Sequence, residues 1–236
     1  MNNICNCQNC HNDLCAKNVF IFSSLNNKEI EKIVSLIIRK TYLKGELIAI
    51  EGSNLDGLII INKGKVKVYK NTYEGKEQIL YIFSEGDFFG EKSLIINQEI
   101  TYNIEALEDT SVCMIKKETF KTLLKEYPEI SFKVMEELCM RLENLENIIK
   151  SMGAKNVEVR INSVLLEFAE KYGKTHDEGI LLELPLSREG IANYIGLTRE
   201  TVSRKISNLQ SEGIIEVIGN KKIIIRNKDA LKKSIE

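Results

Sequence analysis

"LSREGIANYIGLTRETVSRKISNLQSEGIIEVIGNKKIIIR", residues 186–226, carries the most specific pattern in the chain. Ser187 stands where it can cap a short helix whose inner side is Ile191, Ala192 and Ile195. Gly196 allows a tight turn, and Thr198 can cap a second helix. On that second helix Val202, Ile206 and Leu209 recur at steps of four and three and face inward, while Arg199, Glu200, Ser203, Arg204 and Ser207 share the opposite side. Two β-rich runs follow, residues 214–218 and 222–226, separated by Gly219-Asn220, which reads as a hairpin wing.

The outward side chains suit the edges of bases. Arginine can fork onto guanine O6 and N7, glutamate can accept from a cytosine amino group, and serine serves base or phosphate. Lys221 and Lys222 at the wing suit phosphate. A plain helical hairpin with a solvated charged face is the simpler alternative. Ala192, Gly196 and Val202 at helix-turn-helix spacing, followed by a basic wing, argue against it. The formal net charge of −1 over 236 residues hides an asymmetry, because residues 185–236 hold ten Lys/Arg against six Asp/Glu. A polyanion such as double-stranded DNA is therefore expected at this end of the chain.

Working outward, the length suggests two compact units, and 43% hydrophobic with 28% charged residues is ordinary for a globular chain. Between residues 20 and 120, short β-rich runs are punctuated by glycines at 45, 52, 57, 64, 75, 86 and 90, the signature of a compact barrel or jelly roll. Strands are expected at residues 47–50, 57–61, 65–70 and 78–83, with the alternation Lys65-Val66-Lys67-Val68-Tyr69 giving one wet and one packed face. Residues 27–39, with Ile30, Ile33, Val34 and Ile37, read as a helix packed on the barrel. After Pro128 a long helix is expected to about residue 152, in which Met135, Leu138, Leu142, Leu145, Ile149 and Met152 form a coiled-coil seam; the stripe could instead pack on the chain's own barrel. Another amphipathic helix is expected over residues 156–172. The resulting division is a cysteine-rich arm at 1–18, a β unit at 19–126, a long helix at 127–155 and a DNA-reading unit at 156–236.

Four of the six cysteines crowd into "CNCQNCHNDLC", residues 5–15. No basic segment followed by an apolar run of about seven residues opens the chain, and no stretch approaches the roughly 18 apolar residues of a membrane span, so a cytoplasmic location without membrane contact is expected. In that reducing compartment clustered thiols read as a metal site or redox device before they read as disulfides. Cys5, Cys7, Cys10 and Cys15 could together satisfy tetrahedral Zn²⁺, and Cys7-Gln8-Asn9-Cys10 could serve a thiol redox enzyme, although no βαβ pattern surrounds it. Cys113 reads as a strand thiol and Cys139, beside the seam, as a packing residue.

Barrel, seam helix and winged helix-turn-helix together resemble, across nearly the whole chain, the Crp/Fnr regulators, the bacterial cyclic-AMP receptor and fumarate-nitrate reduction proteins. "GDFFGE" at 86–91 and "RETVSRKI" at 199–206 are similar to that family's barrel and recognition-helix motifs. The resemblance implies an α+β fold: an N-terminal cyclic-nucleotide-binding-like β-roll (jelly roll), a long dimerisation helix and a C-terminal winged helix-turn-helix. It implies a regulator of transcription and not an enzyme, a homodimer on an inverted repeat, with RNA polymerase as a further partner. Glu200, Ser203 and Arg204 are similar to the oxygen-responsive branch, which reads TTGAT-like half-sites.

In that branch three arm cysteines and one near a "TSVC" sequence bind a [4Fe-4S] cluster. The resemblance thus assigns Cys7, Cys10, Cys15 and Cys113, with Cys5 as a spare and with one residue fewer between Cys10 and Cys15 than in the best-known pattern. Zinc in the arm, or a cyclic nucleotide or haem as effector, stay open. A cyclic nucleotide needs a buried cation for its phosphate, yet no arginine occurs from Glu91 through Ser111, where Thr101-Tyr102-Asn103 stands at the matching place; Lys92 is a substitute.

Overall fold

The computed structural model describes residue 16 and residues 19–96, 98–153 and 156–233. Cys5, Cys7, Cys10 and Cys15 lie outside the described residues, as does the side chain of Met152. Two units divide at Arg141 and Leu142 within the long helix and are taken in turn.

Helix α1 (Asn27–Ser35) opens on a reciprocal cap: the Asn26 side chain accepts from the Lys28 and Glu29 amides, and Glu29 accepts from the Asn26 amide at 2.7 Å. It stops short of the expected residue 39. Residues from Ile38 onward are used instead as strand β1 (Ile38–Tyr42), which pairs antiparallel with a later strand and so offers its backbone a full ladder. Strands β2 (Leu47–Ala49), β3 (Gly57–Lys63), β4 (Lys65–Asn71), β5 (Glu77–Ser84) and β6 (Phe88–Phe89), short helix α2 (Glu91–Ile95), β7 (Asn103–Ala106) and β8 (Thr110–Lys116) complete the roll. They form two four-stranded sheets, ordered β1-β8-β3-β6 and β2-β7-β4-β5. Helices α3 (Lys117–Glu126) and α4 (Pro128–Gly153) follow.

The first sheet is covered on both faces. Toward the second sheet it presents Ile59, Ile61, Phe89 and Val112, which meet Val66, Val68 and Ile104. Its outer face presents Leu58, Ile60, Cys113 and Ile115 to Phe22, Ile30, Ile33, Phe120, Leu123, Ile130 and Val134. This explains the unbroken apolar run Leu58-Ile59-Ile60-Ile61, since a strand wet on one face would alternate. Strand β4 does alternate, burying Val66 and Val68 and leaving Lys65, Lys67 and Tyr69 partly open.

Two glycines in this unit are there for closeness. A Cβ on Gly57 would lie 2.2 Å from the Ile115 carbonyl oxygen across β8. Gly90, in the GDFFGE segment, has φ +101°, and its Cβ would lie 2.5 Å from the Gly57 carbonyl oxygen.

On α4, Ile130, Val134 and Leu138 turn to the roll. The seam therefore divides: Leu138 packs on the chain's own core, Leu145 is half-buried, and Met135, Leu142 and Ile149 stay exposed, in line with Phe132 at 70% exposure. Cys139 is exposed in the single chain and continues the Met135–Leu142 stripe, four residues after the one and three before the other.

Gly90→Ala should lower the stability of the chain by at least about 2 kcal/mol, from left-handed strain plus overpacking against backbone, measured by thermal denaturation.

Candidate functional site

The second unit is built on α5 (Val157–Tyr172), whose buried residues include Ile161, Val164, Leu165 and Phe168. A hairpin that the sequence reading did not anticipate follows, β9 (Gly173–His176) and β10 (Gly179–Glu183), and then α6 (Arg188–Ile195), α7 (Arg199–Ser211), β11 (Ile215–Ile218), β12 (Lys222–Ile225) and α8 (Lys228–Lys233). The wing is thus half of a four-stranded sheet ordered β11-β12-β10-β9.

The caps work as their residue types suggest. Ser187 accepts from the Gly190 amide at 3.1 Å, Gly196 ends α6 with φ +66°, and Thr198 accepts from the Thr201 amide at 3.3 Å. Val202, Ile206 and Leu209 are buried, which fixes the rotation of α7 and turns its other side outward. Arg199, Glu200, Arg204 and Ser207 are exposed and Ser203 is partly so. Ser207 donates to the Ser203 carbonyl at 3.1 Å. Lys205, beside them in sequence, points elsewhere and pairs with Glu158 of α5 at 2.7 Å. Lys221 and Lys222 are both exposed at the wing tip. Arg226, at the wing base, is tied to Glu178 at 2.7 Å and Glu216 at 2.6 Å, and those carboxylates raise its pKa.

Behind the reading helix, the Tyr194 hydroxyl donates to Glu167 at 2.9 Å. Burial pushes the Glu167 carboxyl up, and the hydrogen bond only partly opposes this.

In the roll, Cys113 is 4% exposed, pairs across β1 with Arg39 and across β3 with Ile60, and points to the helix-covered face. A cavity of about 20 Å³ adjoins it, lined by Ala16, Val19, Ile37, Ile60 and Gly86 among others. Ala16, the residue immediately after Cys15, is itself buried in the same cluster. Ala16 and Cys113 thus share one cluster and one cavity wall.

The GDFFGE segment ends in a buried carboxylate. Glu91 is 7% exposed and one of its oxygens has no hydrogen-bond partner. Tyr102, from the stretch matching a phosphate-binding arginine, is also buried, and desolvation together with the nearby Glu91 holds its phenol above the ordinary range. Lys92, the expected substitute cation, lies 5.6 Å over the Tyr102 ring centre. The cation that approaches Glu91 is Arg141 of α4, at 3.7 Å. Glu137, one turn earlier and 3.0 Å from Arg141, was the available signal that this arginine had a fixed place.

A β-roll followed by a long helix and a winged helix-turn-helix defines a class of DNA-binding transcription regulators. Residues 39–127 match the cyclic nucleotide-binding domain and residues 159–234 the Crp-like helix-turn-helix domain. The chain is 30% identical to the fumarate and nitrate reduction regulatory protein of Escherichia coli over 227 residues, covering 95% of this chain and 88% of that one. Among solved structures, FixK2 from Bradyrhizobium japonicum superposes with a TM-score of 0.75 at 28% identity, over 84% of this chain and 96% of that one. A CooA variant from Carboxydothermus hydrogenoformans gives 0.76 at 26% identity, over 92% and 94%. The chain belongs to the Crp/Fnr family and is a DNA-binding transcriptional regulator. No helix among the described residues is long and apolar enough to cross a membrane.

For Glu167 the raised folded-state pKa means that its proton is held more tightly in the native state. Its contribution to stability is full below the unfolded pKa and is lost as pH rises through the folded one. Glu167→Gln should therefore flatten the fall in stability as pH rises above the ordinary carboxylate range while keeping the Tyr194 partner, as measured by urea denaturation across a pH series.

Proposed function

We propose that this regulator acts as a homodimer on an inverted repeat with TTGAT-like half-sites, and that a [4Fe-4S] cluster held by Cys7, Cys10, Cys15 and Cys113 gates it. The observation that carries the cluster reading is the burial of Ala16 beside Cys113. Ala16 follows Cys15 directly in sequence, which supports a reading in which the arm thiols and the strand thiol share one group. The donor set fits the group: Cys113 is shielded from water, and three thiols from a short arm plus one distant thiol can meet the four irons of a cube. Similarity to the fumarate and nitrate reduction regulator over nearly the whole chain supports the same reading.

When bound, the cluster would supply an oxygen- and nitric oxide-labile tie between arm and roll. The protein's own part is mechanical. Cys113 anchors the arm on the face of the first sheet against which the start of α4 also packs, so whether the arm is seated bears on how that helix is supported. Met135, Leu142 and Ile149, exposed on α4, would pair with a second copy, with Leu138 and Leu145 at the margin. Pairing sets two reading helices about 34 Å apart, one turn of DNA, and a lone copy forfeits half the base contacts. Arg199, Glu200, Ser203 and Arg204 read base edges, with Ser207 beside them, and Lys221 and Lys222 hold phosphate. Bound in this way upstream of a promoter, the dimer would present its surface to RNA polymerase. Work on DNA of this kind would take place in the cytoplasm.

Protein purified without air, or reconstituted with iron and sulfide, should contain about four irons per chain and show broad visible absorbance that bleaches in air. Cys113→Ser should abolish that absorbance. Colourless protein carrying only zinc, with Cys113→Ser behaving as wild type, would replace this reading with a zinc-bound arm.

For DNA, Arg204→Ala should cost about 1–3 kcal/mol on a matched site and relax discrimination at one base position. The double change Lys221→Ala with Lys222→Ala should instead weaken all sequences alike and reduce the salt slope of binding by about two. Fluorescence anisotropy at several salt concentrations separates the two effects.

A further inference from the structure

Lys205 is the odd residue of the reading helix. It stands inside the run RETVSRKI, directly after Arg204, and by charge alone it suits phosphate as well as Lys221 or Lys222 does. Yet its side chain is only 13% exposed, and its Nζ lies 2.7 Å from a carboxylate oxygen of Glu158 on α5. Arg204 is exposed. The ammonium thus faces α5 and not the outward side of α7. Glu158 is itself a fixed point. It occupies the first turn of α5, where the positive end of the helix dipole favours a carboxylate, and its amide donates to the Asn156 side chain at 2.9 Å. That turn comes shortly after α4 ends at Gly153, and all of these residues belong to the second unit.

We infer that the Lys205–Glu158 pair is a tie that fixes where α7 sits against the start of α5, and that Lys205 is a positioning residue for base reading and not a phosphate contact. Burial of Val202, Ile206 and Leu209 sets the rotation of α7, but apolar contact is non-directional and does not by itself single out one position along the helix axis. A short charge-assisted hydrogen bond does. Exposed ion pairs contribute little because water screens them, whereas this lysine is largely withdrawn from water and depends on its partner. A slide of α7 would carry Arg199, Glu200, Ser203 and Arg204 away from base edges together. Since Glu158 lies near the point where the chain leaves α4, the tie also makes the reading helix follow that point. The inference rests on DNA reading by α7 and needs neither a cluster nor a particular half-site sequence.

The test uses full-length protein purified without air and two duplexes, one selected by the wild type from a random-sequence library and one with that sequence scrambled. Fluorescence anisotropy over a salt series, after titration of the DNA-competent fraction, gives the affinity, the specificity ratio and the salt slope. Lys205→Met and Glu158→Gln should each weaken binding to the selected duplex about tenfold, comparable to losing one good base contact, and leave the scrambled duplex and the salt slope as in the wild type. Lys205→Arg should bind as the wild type does. Lys205→Met combined with Glu158→Gln should lose no more than either alone, because both remove the same tie. The sign for Glu158→Gln is the sharpest readout. Removing a negative charge near a polyanion ordinarily strengthens binding, so a weaker complex marks a positional effect. A salt slope reduced by about one in Lys205→Met, or tighter binding by Glu158→Gln, would make Lys205 a phosphate contact and overturn the proposal. Wild-type affinity and discrimination in both variants would overturn it too, leaving a pair that only stabilises the fold. Should Lys205→Met not fold, Glu158→Gln set against Lys205→Arg carries the same expected signs.

Discussion

The rest of the structure depends on one sheet buried on both faces. Strands β3 and β8 give one set of side chains to the interior of the roll and the other to the helices outside it. The driving force is removal of apolar area from water, and a strand that contributes Leu, Ile and Val to both sides gains it twice over the same length of chain. The cost is that no position on these strands can be polar without a partner. Cys113 meets that demand as a small, nearly apolar side chain that still carries a sulfur able to bind metal. Because the outer face must be covered, α1, α3 and the start of α4 converge on the region where the arm ends. The strand thiol and the support of α4 therefore share a wall for packing reasons alone.

Much of this was legible in the sequence. The recognition helix was, because a cap, a tight turn and an inward apolar triad leave one arrangement for α7, and its outward residues follow. The roll was legible from glycine spacing and from the contrast between the continuous run at 58–61 and the alternation at 65–69. Other features depend on partners distant in sequence and so leave no local trace. Helix α1 was read too long because Ile37 fits the helical period as well as it fits the approach to a strand; pairing with β8 decides it. The β9-β10 hairpin was missed since Lys174, Thr175 and His176 carry no apolar alternation and are held by β10. The seam residues look equivalent by period, yet Leu138 continues the Ile130 and Val134 row at a step of four onto the roll, and Met135 is left open.

Arg141 is the clearest case of chemistry hidden from linear reading. A search for a buried cation looks downstream of the Gly-Glu pair, where a loop could deliver it, and finds only Thr101-Tyr102-Asn103. The fold delivers it from a helix fifty residues away along the chain. A site can thus keep its electrostatic balance while losing the residue by which it would be recognised. Glu167 shows the complementary point: its partner Tyr194 lies on another helix, and only the packed unit reveals that burial outweighs the hydrogen bond.

Strand β8 sends odd-numbered side chains one way and even-numbered ones the other: Cys113 and Ile115 outward, Val112 and Met114 toward the interior. Parity is consequently what puts the thiol on the helix-covered face, where the proposed cluster would need it. Deleting or adding one residue between Thr110 and Cys113 would rotate the thiol into the sealed middle of the roll, where nothing from the amino-terminal tail could meet it. For the proposed cluster, the length of this strand thus matters as much as the identity of residue 113.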